Sequence, residues 1–317
     1  MALMDLRPPL LAPVTDLVIL VAGMHRAVLA PGIGGSIVEF SSRLRDNTVH
    51  HWLRPASPQA LATRDPLGMA SFPLLPWCNR MRDGKSDFGA RPVRLRPNFG
   101  DSPHTIHGVA WQSAWSLVGA NSASAQLVLV HEPGGWPYRF KAELHISLDA
   151  DLGMTIELIV TNLDHAPMPL GVGHHPFLPR RAGTRLTASV EAMWQSDDEL
   201  LPTTLVRTAA VEALAQGVVV DEIELDNNFT GWSRSATVEW PDTGAALRFE
   251  AEAPLDSFVV YSPRGADHFC IEPVSNCTDW MNLALRGEGR AGGRFLAPDE
   301  WMNARFWLQP NCPRQDY

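Results

Sequence analysis

The chain has 317 residues, 45% hydrophobic and 19% charged, a balance that allows a large buried core and excludes an intrinsically disordered protein. Its formal net charge is −9, from 26 Lys and Arg against 35 Asp and Glu, and the basic residues are scattered along the chain. Nucleic acid is therefore not an expected partner, because binding to a phosphate backbone needs a concentrated positive face.

The N-terminal segment, residues 1–24, contains apolar patches that do not reach the length of a signal-peptide core or a membrane span. The patches are interrupted by Asp5, Arg7, Pro8, Pro9 and Asp16. We therefore predict a soluble cytoplasmic protein with no membrane partner. We expect it to be a monomer or a homodimer.

Short runs with strand character recur along the chain and are separated by turn residues. They lie at 16–22, 36–41, 114–119, 125–132, 237–240, 247–253 and 258–262. Residues 140–148 alternate strictly between apolar and polar side chains, and 154–160 repeat the alternation after a turn. Residues 140–162 are therefore predicted to form a β-hairpin, with His145 on its polar face.

One short helix is predicted at 207–217, where Ala and Leu favour a helix and Gly217 ends it. The sequence shows no alternation of strands with helices, no linker composition and no fixed-period repeat. It therefore predicts one all-β domain over residues 1–317, a large antiparallel β-sandwich.

The four cysteines are too few and too scattered for a disulfide framework, and none forms a CxxC pair. Cys270 and Cys277 could be a metal-ligand pair only with partners that the sequence does not offer. We expect free and mostly buried thiols at Cys78, Cys270, Cys277 and Cys312.

Four polar clusters stand at predicted strand ends or turns, where side chains from a rigid sheet can converge on a cleft. The first, PWCNRMRDG (76–84), offers Asn79 and Arg80 just before a turn. Taken alone, Arg80 is more typical of a surface salt bridge. The second, TIHGVAW (105–111), places His107 before a glycine that permits a tight bend.

The third cluster, GVGHHPFLP, carries His174 and His175 between glycines and a proline. Such a pair can bind a metal, transfer protons or satisfy a hydrogen bond in a turn. The fourth combines LDNNFTGW with FCIEPVSN, in which Glu272 follows an apolar run. Apolar surroundings raise the pKa of a glutamate, which suits proton transfer near neutral pH; a buried ion pair is the alternative role.

Taken in order, these motifs resemble the aldose 1-epimerase (galactose mutarotase) family. The similarity covers roughly residues 20 to 310 and runs through FPLLPWCNRMRDGKSDF, IHGVAWQSAW, GVGHHPFLP, DNNFTGW and CIEPVSNCTDWMN. The resemblance implies the galactose mutarotase-like supersandwich, a large antiparallel β-sandwich with an open carbohydrate cleft. It agrees with the strand pattern found independently.

The resemblance also implies roles for individual residues. Glu272 is implied as the catalytic base that takes the proton of the anomeric hydroxyl, and His175 as the acid that donates to the ring oxygen. His107 is implied as a second donor. Arg80 and Asp226 are implied to hold sugar hydroxyls through charge-assisted hydrogen bonds. Further candidates for substrate binding are Asn79, His174, Trp232 and Phe177.

Acid–base ring opening needs neither a metal nor an organic cofactor, so none is expected, and the expected ligand is a monosaccharide. The glycines of GVGHHPFLP would let the turn approach the sugar, and Pro176 would stiffen it. Two features depart from the pattern typical of galactose mutarotases: the run from His175 to Leu178, and Asn227. Arabinose, fucose, xylose and glucose are therefore candidates beside galactose.

Three other functions stay open. A hexose-6-phosphate 1-epimerase would need a basic cluster, for which Arg80-Arg82 or Arg180-Arg181 are the candidates. A non-catalytic carbohydrate-binding protein would have lost the acid or the base. A metal-dependent β-sandwich enzyme is disfavoured because adjacent histidines of an extended strand point to opposite sides; its ligands would be His107, His174, His175 and Glu272.

Overall fold

The structure, a computed structural model, describes residues 16–312 and is dominated by β-strands. The strands of the first half of the chain are β1 (Val18–Ala22), β2 (His25–Ala30), β3 (Ser36–Arg43), β4 (Val49–His51), β5 (Pro73–Leu74), β6 (Arg80–Met81), β7 (Lys85–Ser86), β8 (Val93–Arg94), β9 (Thr105–Ile106), β10 (Ser116–Ala120), β11 (Ser124–His131), β12 (Phe140–Asp149), β13 (Gly153–Asn162) and β14 (Met168–Leu170).

The second half of the chain continues in the same way. Its strands are β15 (Gly173–His174), β16 (Phe177–Pro179), β17 (Arg185–Ala188), β18 (Ala192–Ser196), β19 (Pro202–Val206), β20 (Val218–Val219), β21 (Asp226–Thr230), β22 (Ser235–Trp240), β23 (Ala245–Ala251), β24 (Ser257–Tyr261), β25 (His268–Val274), β26 (Arg294–Leu296) and β27 (Trp301–Asn311).

Helices are short. The α-helices are α1 (Pro58–Thr63), α2 (Ala209–Gln216) and α3 (Trp280–Leu285), and the 3₁₀ turns are Pro66–Gly68, Arg82–Gly84, Ala110–Gln112 and Val220–Glu222. Helix α2 confirms the prediction at 207–217, with Gly217 at its end. Helix α1 was not predicted, although Ser57 and Pro58 are typical of a helix start: the Ser57 hydroxyl accepts a hydrogen bond from the Ala60 N–H.

Two large antiparallel sheets form the body of the fold. One has nine strands in the order β10-β11-β12-β13-β27-β23-β22-β17-β20. The other has eight, in the order β19-β18-β21-β24-β25-β15-β5, with β16 also paired with β25. A four-stranded sheet, β1-β2-β3-β4, and three two-stranded ribbons complete the fold. The predicted all-β, antiparallel architecture is confirmed.

The strand predictions are confirmed in position as well as in type. The predicted hairpin at 140–162 is the pair β12–β13, in which Phe140 lies opposite Asn162 and Asp149 opposite Gly153. Its apolar residues are buried and His145 is partly exposed on the polar face, as the alternation predicts. Three of the four free cysteines are buried, and Cys312 is partly exposed.

The eight-stranded sheet is covered by side chains on both faces. On β25, Phe269 and Ile271 point into the main hydrophobic core, which the nine-stranded sheet shares. The intervening residues point to the outer face, where Cys270 packs in a second apolar cluster. Because side chains alternate along a strand, Glu272 lies on that outer face with Cys270. Strand β25 therefore separates the core from the outer surface that carries the polar clusters.

The glycines of GVGHHPFLP have a different role from the predicted one. A Cβ at Gly171 would lie 1.9 Å from Asn276 Oδ1, and a Cβ at Gly173 would lie 2.6 Å from Val274 Cγ1. Both glycines therefore allow close packing against the end of β25 and the residues that follow it, rather than the approach of a ligand.

Among residues 16–312, no helix is long and apolar enough to cross a membrane. The prediction for the N-terminal segment concerns mainly residues 1–15, which lie outside the described residues.

We expect Gly173→Ala to lower the free energy of unfolding by on the order of 1–3 kcal/mol. The new Cβ would also lie 2.7 Å from the carbonyl oxygen of Pro273, and this backbone atom cannot move aside as a flexible side chain could. Urea denaturation measures the change. Gly119→Ala in the exposed strand β10 is the matched control, since no atom lies within 4 Å of its Cβ position. Equal stabilities of the two variants would contradict the packing role.

Candidate active site

A cavity of about 430 Å³ opens on the outer face of the eight-stranded sheet. This volume falls in the range of small-molecule sites. The cavity brings together seven of the residues that the sequence singled out, and these are Asn79, Arg80, His107, His175, Phe177, Asp226 and Glu272. They come from four separate motifs, so only the folded chain assembles them.

Strand register sets the cavity floor. Asp226 on β21 lies opposite Tyr261 on β24, and Tyr261 lies opposite Cys270 on β25. On its other side Cys270 lies opposite Phe177 on β16. Directly opposed residues of antiparallel strands share one face, so these four side chains form a row across the sheet. Glu272 is two residues from Cys270 and therefore lies on the same face, in the next row.

The innermost contact of the cavity joins Glu272 to His175. His175 Nε2 lies 3.3 Å from Glu272 Oε1, and the two side chains are 8% and 2% exposed. Aromatic rings hold the imidazole in place: the ring centroid of Phe177 is 4.5 Å from that of His175, and the centroid of Phe72 is 4.9 Å from it. Within residues 16–312, His175 Nδ1 and Glu272 Oε2 are buried without a hydrogen-bond partner.

Burial controls the ionisation of this pair. It raises the pKa of Glu272 well above its usual value, and the neighbouring Asp226 carboxylate raises it further, while Arg80 opposes the rise. Burial also lowers the pKa of His175. Each shift favours the neutral form of its group. The pair shares one proton, which lies either on Glu272, with both groups neutral, or on His175, as an ion pair.

His107 has a defined tautomer. Its Nδ1 accepts a hydrogen bond of 3.3 Å from the backbone N–H of Asn79, which can only donate. Burial, with His175 and Arg80 nearby, lowers the pKa of His107 well below its usual value, so the ring is neutral. A neutral ring whose Nδ1 accepts must carry its proton on Nε2. His107 is therefore a hydrogen-bond donor through Nε2.

The backbone around His107 is strained. His107 and Asn79 have φ values of 62° and 59°, in the left-handed region that side chains other than glycine rarely adopt. The two residues hold each other, because the His107 N–H also donates to the Asn79 carbonyl at 3.0 Å. The predicted tight bend is present, with Gly108 at φ 77°.

Arg80 is a cation in the cavity wall and is held by an ion pair and a hydrogen bond. Its Nη2 lies 3.0 Å from Asp226 Oδ2, and its Nη1 donates to Asn79 Oδ1 at 3.1 Å. Both members of the ion pair are largely buried. The surface salt bridge expected for an isolated arginine is therefore replaced by a pair inside the cavity.

Comparison with known proteins agrees with this arrangement. Residues 16–309 match the family model of aldose 1-epimerases. The chain belongs to the aldose 1-epimerase family. The match spans nearly the whole described chain, and it includes every residue of the cavity described above.

Two relatives of this epimerase-family chain come from Escherichia coli K12, and both are described as uncharacterized. YphB is 28% identical over 265 residues, which is 81% of this chain and 88% of that protein. YihR is 29% identical over 294 residues, which is 89% of this chain and 87% of that protein. Their descriptions leave the substrate open.

Solved structures agree on the fold. A crystal structure from Escherichia coli K12, provisionally named an aldose 1-epimerase, has a TM-score of 0.82 at 27% identity and covers 94% of this chain and 99% of its own. A galactose mutarotase-like protein from Clostridium acetobutylicum has a TM-score of 0.83 at 22% identity and covers 94% and 95% of the two chains. The predicted galactose mutarotase-like β-sandwich is confirmed.

Two candidates for substrate binding lie outside the cavity of this family member. His174 points to the core side, where its Nδ1 lies 2.5 Å from Ser71 Oγ and its ring 5.6 Å from Phe306, because adjacent residues of an extended chain face opposite ways. Trp232 stacks on Phe258 at 4.8 Å, and its Nε1 donates to the Ser235 carbonyl. The structure therefore does not support substrate-binding roles for His174 and Trp232.

Several lining residues were not predicted. Of the candidate aromatic residues only Phe177 lines the cavity, and it is joined by Leu67, Phe99, Ile106, Leu200, Tyr261 and His268. His268 could have been found from Glu272, since residues four apart on a strand share a face. Leu67, Phe99 and Leu200 come from loops, where the sequence has no periodic signal.

No group of three or more His, Cys, Asp or Glu side chains within residues 16–312 is placed to hold a metal ion. The four proposed ligands of a metal enzyme are not brought together, because His174 lies on the core side of the sheet. The geometry therefore does not support that alternative.

The raised pKa of Glu272 predicts a pH-dependent stability. An ionised buried carboxylate destabilises the folded state above the unfolded pKa, and this effect disappears as falling pH protonates the group. We expect Glu272→Gln to raise the free energy of unfolding by on the order of 1–3 kcal/mol at about pH 8, and to approach the wild-type value toward about pH 4. Urea titrations at both pH values measure this.

Glu239→Gln is the matched control, because Glu239 is exposed on β22 and its replacement should change little at either pH. Equal stability of Glu272→Gln and the wild type at the higher pH would contradict the raised pKa.

Proposed function

We propose that this protein is an aldose 1-epimerase that interconverts the α and β anomers of a free aldose. The contact between Glu272 and His175 carries the proposal, because it supplies a base and an acid within one buried site. Anomer exchange requires both: one group removes the proton of the anomeric hydroxyl while another protonates the ring oxygen. Both oxygens are bonded to C1, so neighbouring groups can reach them.

Ring opening starts from the ion-pair arrangement. The Glu272 carboxylate accepts the proton from O1, the C1–O5 bond breaks, and the electrons of the O1–H bond form the carbonyl of the open aldehyde. Protonated His175 donates its Nε2 proton to O5, which takes the electrons of the broken bond. The pair is left as protonated Glu272 and neutral His175, so it still holds one proton.

Ring closure reverses these transfers after the aldehyde has rotated. O5 attacks the opposite face of C1, His175 takes back the O5 proton, and Glu272 returns a proton to O1. The product is the other anomer, and the ion pair is restored. Burial disfavours the charged form of each group, so it favours the neutral arrangement that ring opening produces.

His107 acts as a fixed donor in this scheme. With Nδ1 occupied by the Asn79 N–H, its Nε2–H is available to stabilise charge that develops on the ring oxygen. Its lowered pKa keeps it neutral, so it donates a hydrogen bond without competing with His175 for the transferred proton.

Arg80, Asp226 and Asn79 hold sugar hydroxyls. Arg80 donates and the Asp226 carboxylate accepts, and hydrogen bonds to ionised groups are stronger than neutral ones. The row of Tyr261 and Phe177 beside Asp226 offers aromatic surface for the C–H face of the ring.

The pairing of the two candidate basic clusters favours a free sugar over a hexose 6-phosphate. A phosphate needs a cation that is not already neutralised. Arg80 is paired with Asp226, and Arg82 contacts Asp197 and Glu199. The Arg180-Arg181 pair lies elsewhere: Arg181 pairs with Asp242, and Arg180 lines a separate cavity. A non-catalytic carbohydrate-binding protein is disfavoured because the site retains both a base and an acid.

Polarimetry tests the proposal. Freshly dissolved α-glucose, α-galactose and several pentoses relax toward anomeric equilibrium, and catalytic amounts of protein, treated with a chelator, are expected to accelerate at least one of them at near-neutral pH. Glu272→Gln should bind sugar and stay folded but lose about 10²- to 10⁴-fold in rate, the range of general acid–base catalysis.

The exposed Glu239→Gln variant, used at equal concentration, is the control and should retain the wild-type rate. No acceleration of any free aldose by folded protein would contradict the proposed function. Acceleration that survives in Glu272→Gln would contradict the role of Glu272.

A further inference from the structure

His268 is a titratable side chain of the cavity that the acid–base scheme does not use. It lies on β25, four residues before Glu272, and both side chains line the cavity. The His268 ring packs edge-on against Phe177, with centroids 5.3 Å apart. The cavity therefore has a second polar end, and an aromatic ring separates it from Glu272 and His175.

Asp267 fixes the tautomer of His268. The Nδ1 atom of His268 lies 2.8 Å from Asp267 Oδ1. This hydrogen bond lowers the pKa of Asp267, so its carboxylate is ionised and can only accept. The proton is therefore on Nδ1, and in the neutral form of the ring Nε2 carries a free lone pair. Within residues 16–312 the ring hydrogen-bonds to Asp267 through Nδ1.

His268 and His107 thus offer opposite chemistry to the cavity. His107 donates through Nε2 because a backbone N–H occupies its Nδ1. In its neutral form His268 accepts through Nε2, because a carboxylate occupies its Nδ1. A donor stabilises charge on the ring oxygen, whereas an acceptor binds the hydrogen of a sugar hydroxyl.

The spacing of the two ends leaves room for one sugar ring. A strand rises about 3.3 Å per residue, so the Cα atoms of Glu272 and His268 are about 13 Å apart. Two hydrogen bonds of about 2.8 Å each take up part of this length. The remainder is of the order of one pyranose ring, in which C4 is the atom opposite C1.

We propose that His268 is a specificity-determining residue that accepts a hydrogen bond from the C4 hydroxyl of the aldose. This role rests on the proposed function, because it assumes that C1 lies at Glu272. It assigns the substrate to aldoses that carry a free hydroxyl at C4 of the pyranose ring, and it predicts weaker binding of a sugar in which that hydroxyl is absent or substituted.

Binding measurements in the Glu272→Gln background test this role without turnover. D-glucose, D-galactose and 4-deoxy-D-glucose are titrated by calorimetry. The Glu272→Gln protein, which keeps His268, is expected to bind either D-glucose or D-galactose about tenfold more tightly than 4-deoxy-D-glucose. This ratio corresponds to about one net hydrogen bond. His268→Leu should abolish this preference, and His268→Gln, whose amide oxygen can accept, should retain part of it.

His145→Leu is the matched control, since it makes the same change on the polar face of β12 and should leave every affinity unchanged. Equal weakening of all three sugars by His268→Leu, or a preference that survives it, would overturn the role of His268 alone. If no free aldose, the pentoses included, is epimerised by the wild-type protein, the proposed function fails, and this role fails with it.

Discussion

The site depends on one constraint, which is that an ionisable carboxyl lies buried in the middle of a sheet. Glu272 is 2% exposed and belongs to β25, whose other face is part of the main core. Water cannot stabilise its charge there, so burial raises the pKa of Glu272, Asp226 raises it further and Arg80 opposes the rise. The same burial that destabilises the folded chain makes the carboxyl a base of useful strength near neutral pH.

Around this carboxyl the sheet provides rigid positions and the loops provide strained ones. Strand register fixes Asp226, Tyr261 and Phe177 in one row, whereas Asn79 and His107 adopt left-handed backbone conformations and hold each other by two hydrogen bonds. Strain of this kind persists only where the surroundings enforce it. Here it directs the His107 ring into the cavity with a defined tautomer, which suits a donor that must not change protonation during the reaction.

Much of the fold was predictable because its strands alternate cleanly between buried and exposed faces. The hairpin β12–β13 shows this most clearly, and the ordered polar motifs indicated Arg80, His107, His175, Asp226 and Glu272 as members of one cleft. The wrong predictions concerned which side of the sheet a residue faces and which distant segments pack together. Once His175 is placed, strand alternation puts His174 on the other side of the sheet. The local sequence does not determine which of these two histidines faces the cavity. The packing of Trp232 on Phe258 and the loop positions of Phe99 and Leu200 depend on segments that are distant in sequence.

In the proposed reaction, C1 is inverted by opening and closing the ring. Exchange NMR on an aldose at anomeric equilibrium in D₂O tests it most directly, because ring opening breaks the C1–O5 bond and leaves the C1–H bond intact. Cross-peaks between the α and β anomeric protons should grow with protein concentration, while the proton at C1 is fully retained. Deuterium incorporation at C1 would contradict ring opening as the mechanism, and a lack of protein-dependent exchange for every aldose would contradict epimerisation itself.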